Sequence, residues 1–271
     1  MAHKIKTATL AILCLAGVSG FLLLAPAEPL QTEPPRAELP KPKYTAAPSC
    51  VGDEGTRPQP AALKAFPKAL QSDETLTVLV VGPAAYEDGP FANEESYPNR
   101  LARYLTSIFK EQDIELISRN ISGEVAEDAA ERLRAEIVET DPDLVVWQAG
   151  SADALARVDL KEFEAAFTET LDWLEEHGID VVLVDPRYVP ELADDPAYRR
   201  IVGAIWYYAA KRDIPLVRRY DMMRSLTLPD DSNAAPPEHR LTGFDHRCMA
   251  RKVAEVIVVS SNADHFDKRR H

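Results

Sequence analysis

Residues 144–151 read LVVWQAGS, an apolar run that ends in a glycine turn. Its first part, Leu144–Gln148, is mostly apolar on consecutive residues. Such a run is typical of a strand that is buried on both faces, as in a parallel sheet. Four further runs have the same character: Leu76–Val81, Ile114–Ser118, Val181–Asp185 and Pro215–Arg218. Together, the runs predict a five-stranded parallel sheet.

Amphipathic segments separate these runs and predict helices. They are Tyr97–Lys110, Val125–Glu139, Lys161–Glu176, Ala197–Lys211 and a last one over Asp245–Val258. Alternating strands and helices are joined by right-handed crossovers, which place helices on both faces of the sheet. The sequence therefore predicts a doubly wound, three-layer α/β domain. Ligands of such folds bind beyond the carboxyl ends of the strands, so the loops that follow the five strands are the segments to inspect.

Residues 1–27 have the parts of an export signal. Lys4 and Lys6 precede the apolar run Ala8–Leu24, and Ala25-Pro26-Ala27 offers small residues for cleavage. The run is also long enough to remain as an anchor, since a membrane helix needs about 20 apolar residues. The sequence predicts an exported protein, either periplasmic or attached to the outer face of the cytoplasmic membrane, with membrane contact only through this segment.

The rest of the chain divides by composition. Residues 28–72 are rich in proline and poor in large apolar residues, which predicts an extended linker or arm. The folded domain is then 73–259, and 260–271 form a polar tail. Cys50 and Cys248 are the cysteines outside the export segment. In an oxidising compartment we expect them to form a disulfide, the alternative being two unpaired cysteines.

The charge of the chain excludes one class of partner. A formal net charge of -13 repels the phosphate backbone of nucleic acids. Two adjacent pairs are candidates for binding a cation: Glu87 and Asp88, which a solvated acidic loop explains better, and Asp245 and His246. Neighbouring residues at a helix start point in different directions, and no third ligand follows at metal spacing. We predict neither a metal nor another cofactor.

Two blocks carry a resemblance to a known family. Gly82-Pro83-Ala84 follows the first run, Ser96-Tyr97-Pro98 opens the next helix, and Arg119–Glu124 reads RNISGE. These motifs resemble those of the SGNH (GDSL) hydrolases, bacterial exported members included, over about residues 75–258. The family cleaves esters with serine, histidine and aspartate on a flavodoxin-like sheet. The resemblance implies that fold here, with Gly123 as an oxyanion-binding glycine.

The catalytic positions implied by the resemblance hold other residues. The nucleophile position reads Ala84, and the oxyanion-binding asparagine reads Ala152. Aligning on Arg247–Ala250 places Pro237 at the aspartate and Arg240 at the histidine. Alanine has no hydrogen bond to donate, arginine cannot act as a general base, and proline cannot orient one. The sequence therefore predicts a pseudoenzyme, a hydrolase fold without its catalytic groups.

Three functions remain open from the sequence. The favoured one is a pseudoenzyme that binds an envelope glycan, an acylated small molecule or a protein partner in the crevice beyond the carboxyl ends of the strands. Its predicted ligand-binding residues are Gly82, Gly123, Gly150, Ser151, Arg187 and Tyr188. The second is an active acyl-ester hydrolase, esterase- or deacetylase-like, with the relocated triad Ser151, His239 and Glu238. The third is a structural component of the cell envelope, without a ligand.

Purely structural roles are alternatives for some of the same residues. Ser151 also suits a helix N-cap or a turn, and His239 a solvated loop. Arg187 suits either a ligand-binding position at the strand ends or an ion pair with Asp185 or another acidic loop residue.

Overall fold

The computed structural model of the chain describes residues 61–82, 96–120, 123–227 and 247–261, all of them within the unit Tyr44–His271. The predicted export segment lies outside these ranges. So do several residues of the predicted sites and of the predicted disulfide, namely Cys50, Ala84, Pro237, Glu238, His239 and Arg240. Within the described ranges, no helix combines the length and the apolar composition needed to cross a membrane.

Parallel strands form the centre of the domain. They are β1 Leu76–Gly82, β2 Ile114–Asn120, β3 Leu144–Gln148, β4 Asp180–Val184 and β5 Leu216–Val217. The five strands lie in the order β2-β1-β3-β4-β5, and every neighbouring pair is parallel. All residues of β3 are buried, as its continuous apolar sequence predicts. The predicted α/β fold with a five-stranded parallel sheet is confirmed.

Helices connect the strands and cover the sheet. In the described ranges they are α1 Phe66–Ala69, α2 Tyr97–Ile108, α3 Ala126–Thr140, α4 Ser151–Ala156, α5 Leu160–Glu176, α6 Pro196–Lys211, α7 Arg219–Thr227 and α8 Met249–Ser261. A 3₁₀ turn spans Pro190–Leu192. Helix α2 packs on α8, whereas α5 packs on both α3 and α6.

Local sequence explains where the longest helices begin and which side they bury. The Asp159 carboxylate accepts a hydrogen bond from an N–H in the first turn of α5, and Asp195 does the same for α6, where Pro196 follows it. Apolar residues of α5 recur at intervals of three and four, which places them on one face. The buried apolar residues of α5 are Phe163, Phe167, Leu171 and Leu174.

The predicted linker, residues 28–72, includes a segment that packs into the domain. Leu63 and Phe66 are buried there, with exposed fractions of 6% and 0%. The carboxylate of Asp180, at the start of β4, accepts hydrogen bonds from the N–H groups of residues 64–66 at 2.8 to 3.0 Å. The folded part therefore begins upstream of the predicted boundary at residue 73. Proline-rich local composition does not reveal this, because the capping carboxylate lies more than 110 residues away.

Three other elements differ from the sequence predictions. Strand β5 is shorter than the predicted Pro215–Arg218, and α7 begins at Arg219, two residues after the last strand residue. Helices α4 and α7 were not predicted. Ser151 is the first residue of α4 rather than its N-cap, and the cap is Gly150. Glycine suits that position because its φ is +79°.

Candidate functional site

A cavity of about 160 Å³ lies at the carboxyl end of β3. Its walls come from the loop before α3, the first turns of α3, the end of β3 and helix α4. Most of the lining is apolar or glycine, with few polar side chains. The lining residues are Gly123, Glu124, Ala126, Ala129, Trp147, Gln148, Ala149, Gly150, Ser151, Ala152, Asp153 and Leu155.

Glycine is required where the loop after β3 turns beside the cavity. Gly150 has a φ of +79°, a backbone conformation that residues with a side chain rarely adopt. A Cβ atom at Gly150 would lie 2.7 Å from Cδ1 of Ile205 and 2.9 Å from Cγ2 of Ile201. Gly123 has the same φ, but a Cβ atom there would meet nothing within 4 Å. At Gly150 both the φ angle and the close packing on α6 favour glycine, whereas at Gly123 only the φ angle does.

Asp153 joins the two loops that form the cavity. Its side chain is buried, and its Oδ1 accepts a hydrogen bond from the Ala126 N–H at the start of α3, at 2.8 Å. Burial raises the pKa of this carboxyl, and the hydrogen bonds from backbone N–H groups oppose that rise. The aspartate stands in the Gly150–Asp153 block, yet no role was assigned to it from the sequence. Its hydrogen bond connects the first turn of α4 to the start of α3.

The structure brings together part of the predicted ligand-binding set. Gly123, Gly150 and Ser151 line the same cavity, and Ala152 lines it beside them. The other predicted residues, Gly82, Arg187 and Tyr188, are not among its lining residues.

Gly82 and Arg187 have other surroundings. The side chain of Gln148 lies against Gly82, where a Cβ atom would be 2.8 Å from the amide carbon of that glutamine. Arg187 is exposed, and its backbone carbonyl accepts a hydrogen bond from the Tyr198 hydroxyl at 2.6 Å. Tyr188 is buried, with its ring 5.3 Å from that of Tyr220.

A buried polar cluster lies at the ends of β3, β4 and β5. Asp185 accepts hydrogen bonds from Nε1 of Trp206 at 2.5 Å and from the Tyr220 N–H at 2.9 Å. Burial raises the pKa of Asp185 to about 7, although the two hydrogen bonds and the nearby Arg219 guanidinium oppose this. Arg219 also donates to Oε1 of Gln148 at 3.4 Å. The hydrogen bonds of Asp185 thus come from Trp206 and Tyr220 rather than from Arg187.

Few groups suited to acyl transfer lie in the described part of the cavity. Ser151 carries the only hydroxyl among the lining residues. The only histidine in the described ranges is His177, at the end of α5, where its ring stacks on Trp173 at 4.0 Å. His177 is not among the lining residues of the cavity. The described residues contain no cluster of side chains that could bind a metal ion.

Comparison with known proteins places this architecture in a family. The model of the Non-GDSL lipase-like family matches residues 49–263. No curated protein sequence matches the chain significantly.

Solved structures of esterases share the fold. One, a protein described as lipolytic and of the G-D-S-L family, from Desulfitobacterium hafniense DCB-2, matches with a TM-score of 0.52 and 17% identity, over 67% of this chain and 99% of that one. The esterase EstA from Pseudoalteromonas sp. matches with a TM-score of 0.51 and 18% identity, over 67% and 96%. A catalytic mutant of Axe2, an acetylxylan esterase from Geobacillus stearothermophilus, has a TM-score of 0.51 and 18% identity, over 69% and 96%. Similarity at this level establishes the SGNH/GDSL hydrolase fold.

Proposed function

This chain belongs to the Non-GDSL lipase-like family, and we propose that it uses the SGNH/GDSL hydrolase fold to bind a ligand without hydrolysing an ester. The observation that carries the proposal is Ala152. It lines the cavity together with Gly123, the glycine that the resemblance assigns to oxyanion binding. An alanine methyl group has no hydrogen bond to donate at the asparagine position. Loss of one such donor lowers the rate of acyl transfer by about 10²- to 10³-fold.

The buried carboxylates near the strand ends support a non-catalytic function. Asp153 and Asp185 already accept hydrogen bonds from backbone N–H groups. Their bonds fit a structural role, whereas a general base must reach the proton of the nucleophile. Within the described residues, neither aspartate forms a hydrogen bond with Ser151.

The cavity size limits what the site holds. Sites for drug-sized ligands have volumes of about 300 to 1,000 Å³, whereas this cavity has about 160 Å³. It therefore accommodates one small group of a larger ligand. The three ligand classes of the proposal are an envelope glycan, an acylated small molecule and a protein partner that inserts a small side chain.

An active hydrolase is the alternative, and one observation favours it. Ser151 lines the cavity beside Gly123, so a serine does stand near the implied oxyanion site. The relocated triad would need His239 and Glu238 to reach that serine. Both residues lie outside the described ranges.

An ester assay on the purified protein separates these two functions. We expect no hydrolysis of a short-chain aryl ester above the buffer rate, and no labelling by a serine-reactive phosphonate. The reason is that a serine hydroxyl without a base is a weak nucleophile at neutral pH. Hydrolysis that disappears in both Ser151→Ala and His239→Ala would overturn the proposal and establish the relocated triad.

We further propose that the protein is exported and that Cys50 and Cys248 form a disulfide. Cys248 is buried, and Cys50 lies outside the described residues. Peptide mapping of protein from the cell envelope without reductant should recover the two cysteines as one linked pair. Replacing Cys248 with serine should then lower the free energy of unfolding by about 2 to 4 kcal/mol. Recovery of both cysteines as free thiols would contradict the pairing.

A further inference from the structure

Helix α6 presents a basic face to solvent in a chain that is acidic overall. Its exposed residues recur at intervals of three and four, which places them on one face of the helix. They are Pro196, Arg199, Arg200, Gly203, Tyr207, Ala210 and Lys211. Three of them are cationic and none is acidic. The whole chain has 44 Asp and Glu against 31 Lys and Arg, so composition does not explain this face.

The positive charge of this face is not neutralised within the described part of the chain. Arg199, Arg200 and Lys211 form no ion pair with any described residue. Lys211 lies over two aromatic rings, with its Nζ 5.6 Å from the ring centre of Tyr207 and 5.9 Å from that of Tyr208. Tyr207 is itself 57% exposed. The face of α6 therefore offers three cations and one large aromatic surface to a partner.

The neighbouring helix α5 presents the opposite charge. The two helices pack side by side. The charged, exposed residues of α5 are five acids and one lysine: Lys161, Glu162, Glu169, Asp172, Glu175 and Glu176. Three of the acids pair with cations of neighbouring segments, yet their side chains remain 56 to 71% exposed. Exposed ion pairs contribute little to stability, so these acids remain accessible to a second cation.

Two contacts between α5 and α6 show which of their residues lie at the same level. The rings of Phe167 and Tyr208 pack against each other, with their centres 6.3 Å apart. Arg212, directly after α6, pairs with Asp172 of α5, 40 positions earlier in the sequence. The two contacts span nearly the same sequence separation, so the helices run in the same direction. Each residue of α6 is therefore level with the residue of α5 that precedes it by about 40 positions.

We infer that two copies of this chain dock through the α5–α6 face, in a symmetric dimer whose two-fold axis runs along the helices, between α5 and α6. This axis places α6 of each subunit on α5 of the other, at the same level. Arg200 then faces Glu162 of the partner subunit, and Lys211 faces Asp172 of the partner subunit. Each contact occurs twice, because the interface is isologous. The inference goes beyond the proposed function and does not depend on it.

Charge selects this arrangement, and area sets its strength. A two-fold axis across the helices would place α6 on α6, and so cations on cations. Helices of 17 and 16 residues are about 25 Å long, and two of them side by side cover roughly 500 Å². A standard interface buries about 800 Å² on each partner. The dimer is therefore weak, and it depends on salt because its contacts are between exposed charges.

Sedimentation of the purified protein at increasing concentrations tests the dimer. We expect dimers in low salt that dissociate in about 1 M NaCl, where charges more than about 3 Å apart are screened. A protein that stays monomeric in low salt at its highest soluble concentration would overturn the inference. So would a dimer that forms equally well in high salt.

Charge reversal distinguishes this interface from every other. One double variant is Arg200→Glu with Lys211→Glu, and the other is Glu162→Lys with Asp172→Lys. Each alone should weaken dimerisation by about tenfold or more, because like charges then face each other. An equimolar mixture of the two should form dimers with the affinity of the wild type, since opposite charges face each other again in both contacts.

The matched control reverses two exposed lysines elsewhere. Lys68→Glu with Lys110→Glu changes the net charge as much as Arg200→Glu with Lys211→Glu does, but neither lysine lies on α5 or α6. The control should dimerise like the wild type. Dimers that persist in both charge-reversed double variants, or a mixture that stays monomeric, would overturn the inference. A monomeric wild type that binds an anionic polysaccharide through Arg200 and Lys211 would also overturn it, and would assign this face to a glycan.

Discussion

Each end of the sheet borders a cavity, and the two cavities differ in how their polar groups are satisfied. At the amino end, a cavity of about 100 Å³ is lined by Asp180, Glu175 and Arg212, among others. Asp180 accepts three backbone hydrogen bonds, Glu175 pairs with Lys64, and Arg212 pairs with an aspartate on α5.

At the carboxyl end, groups that line the larger cavity remain unpaired. Nε1 of Trp147 and Oε2 of Glu124 are buried without partners among the described residues. Unpaired buried polar groups cost free energy. The difference shows that the polar groups named at the amino end find their partners within the chain and stabilise it, whereas the two at the carboxyl end lower stability.

The largest expected effect on stability comes from replacing a glycine, and it differs between the two ends of the sheet. Gly150→Ala should lower the free energy of unfolding by about 3 to 5 kcal/mol, because the new Cβ is both strained and too close to two isoleucines. Gly178→Ala, before β4, has a φ of +68° but open space around it, and should cost about 1 kcal/mol. Urea unfolding of both variants measures the difference. Equal losses would mean that packing at the carboxyl end is not tighter.

A second effect concerns Asp185 and pH. Its pKa is about 7 in the folded protein and about 3.9 when unfolded. Between these values the folded state binds more protons, so the free energy of unfolding should fall as pH rises from about 4 to about 7. The contribution of Asp185 to that fall is on the order of 3 kcal/mol.

Unfolding measured across this pH range tests the assignment. Asp185→Asn should remove most of the fall, because an amide does not titrate. The control is Asp195→Asn, since hydrogen bonds from the first turn of α6 lower the pKa of Asp195, and its stabilisation is lost as pH falls. The control should therefore leave the fall between pH 4 and 7 intact. A wild-type-like pH profile in Asp185→Asn would contradict the raised pKa.

The smallest of these effects concerns the amino end. Asp180→Ala should lower the free energy of unfolding by about 2 kcal/mol, since it leaves the N–H groups of residues 64–66 without their carboxylate. Asp159→Ala removes a single capping bond at α5 and should cost about 1 kcal/mol. Neither variant should change ligand binding at the other end of the sheet. If Asp180→Ala remained folded but lost ligand binding, the two ends of the sheet would not act independently.

Much of the fold was predictable from local patterns. The strand Leu144–Gln148 was predicted with the bounds that the structure has, because burial on both faces requires consecutive apolar residues. Gly123, Gly150 and Ser151 were predicted to meet, since parallel strands bring their carboxyl ends to one edge. The short helices α4 and α7 were not predicted, because few residues carry too little periodicity.

The sequence by itself determined the order of strands and helices, the parallel sheet and the loops that border the cavity, because apolar periodicity is a local property. Tertiary structure alone decided which polar groups found partners. Asp180 caps a segment more than 110 residues away, and Arg219 reaches Gln148 across 71 residues. Trp147 was visible in the sequence only as a strand residue. Its unpaired N–H depends on what the fold places around the ring, since a hydrogen bond requires two groups to meet in space and distance along the chain does not limit which groups meet.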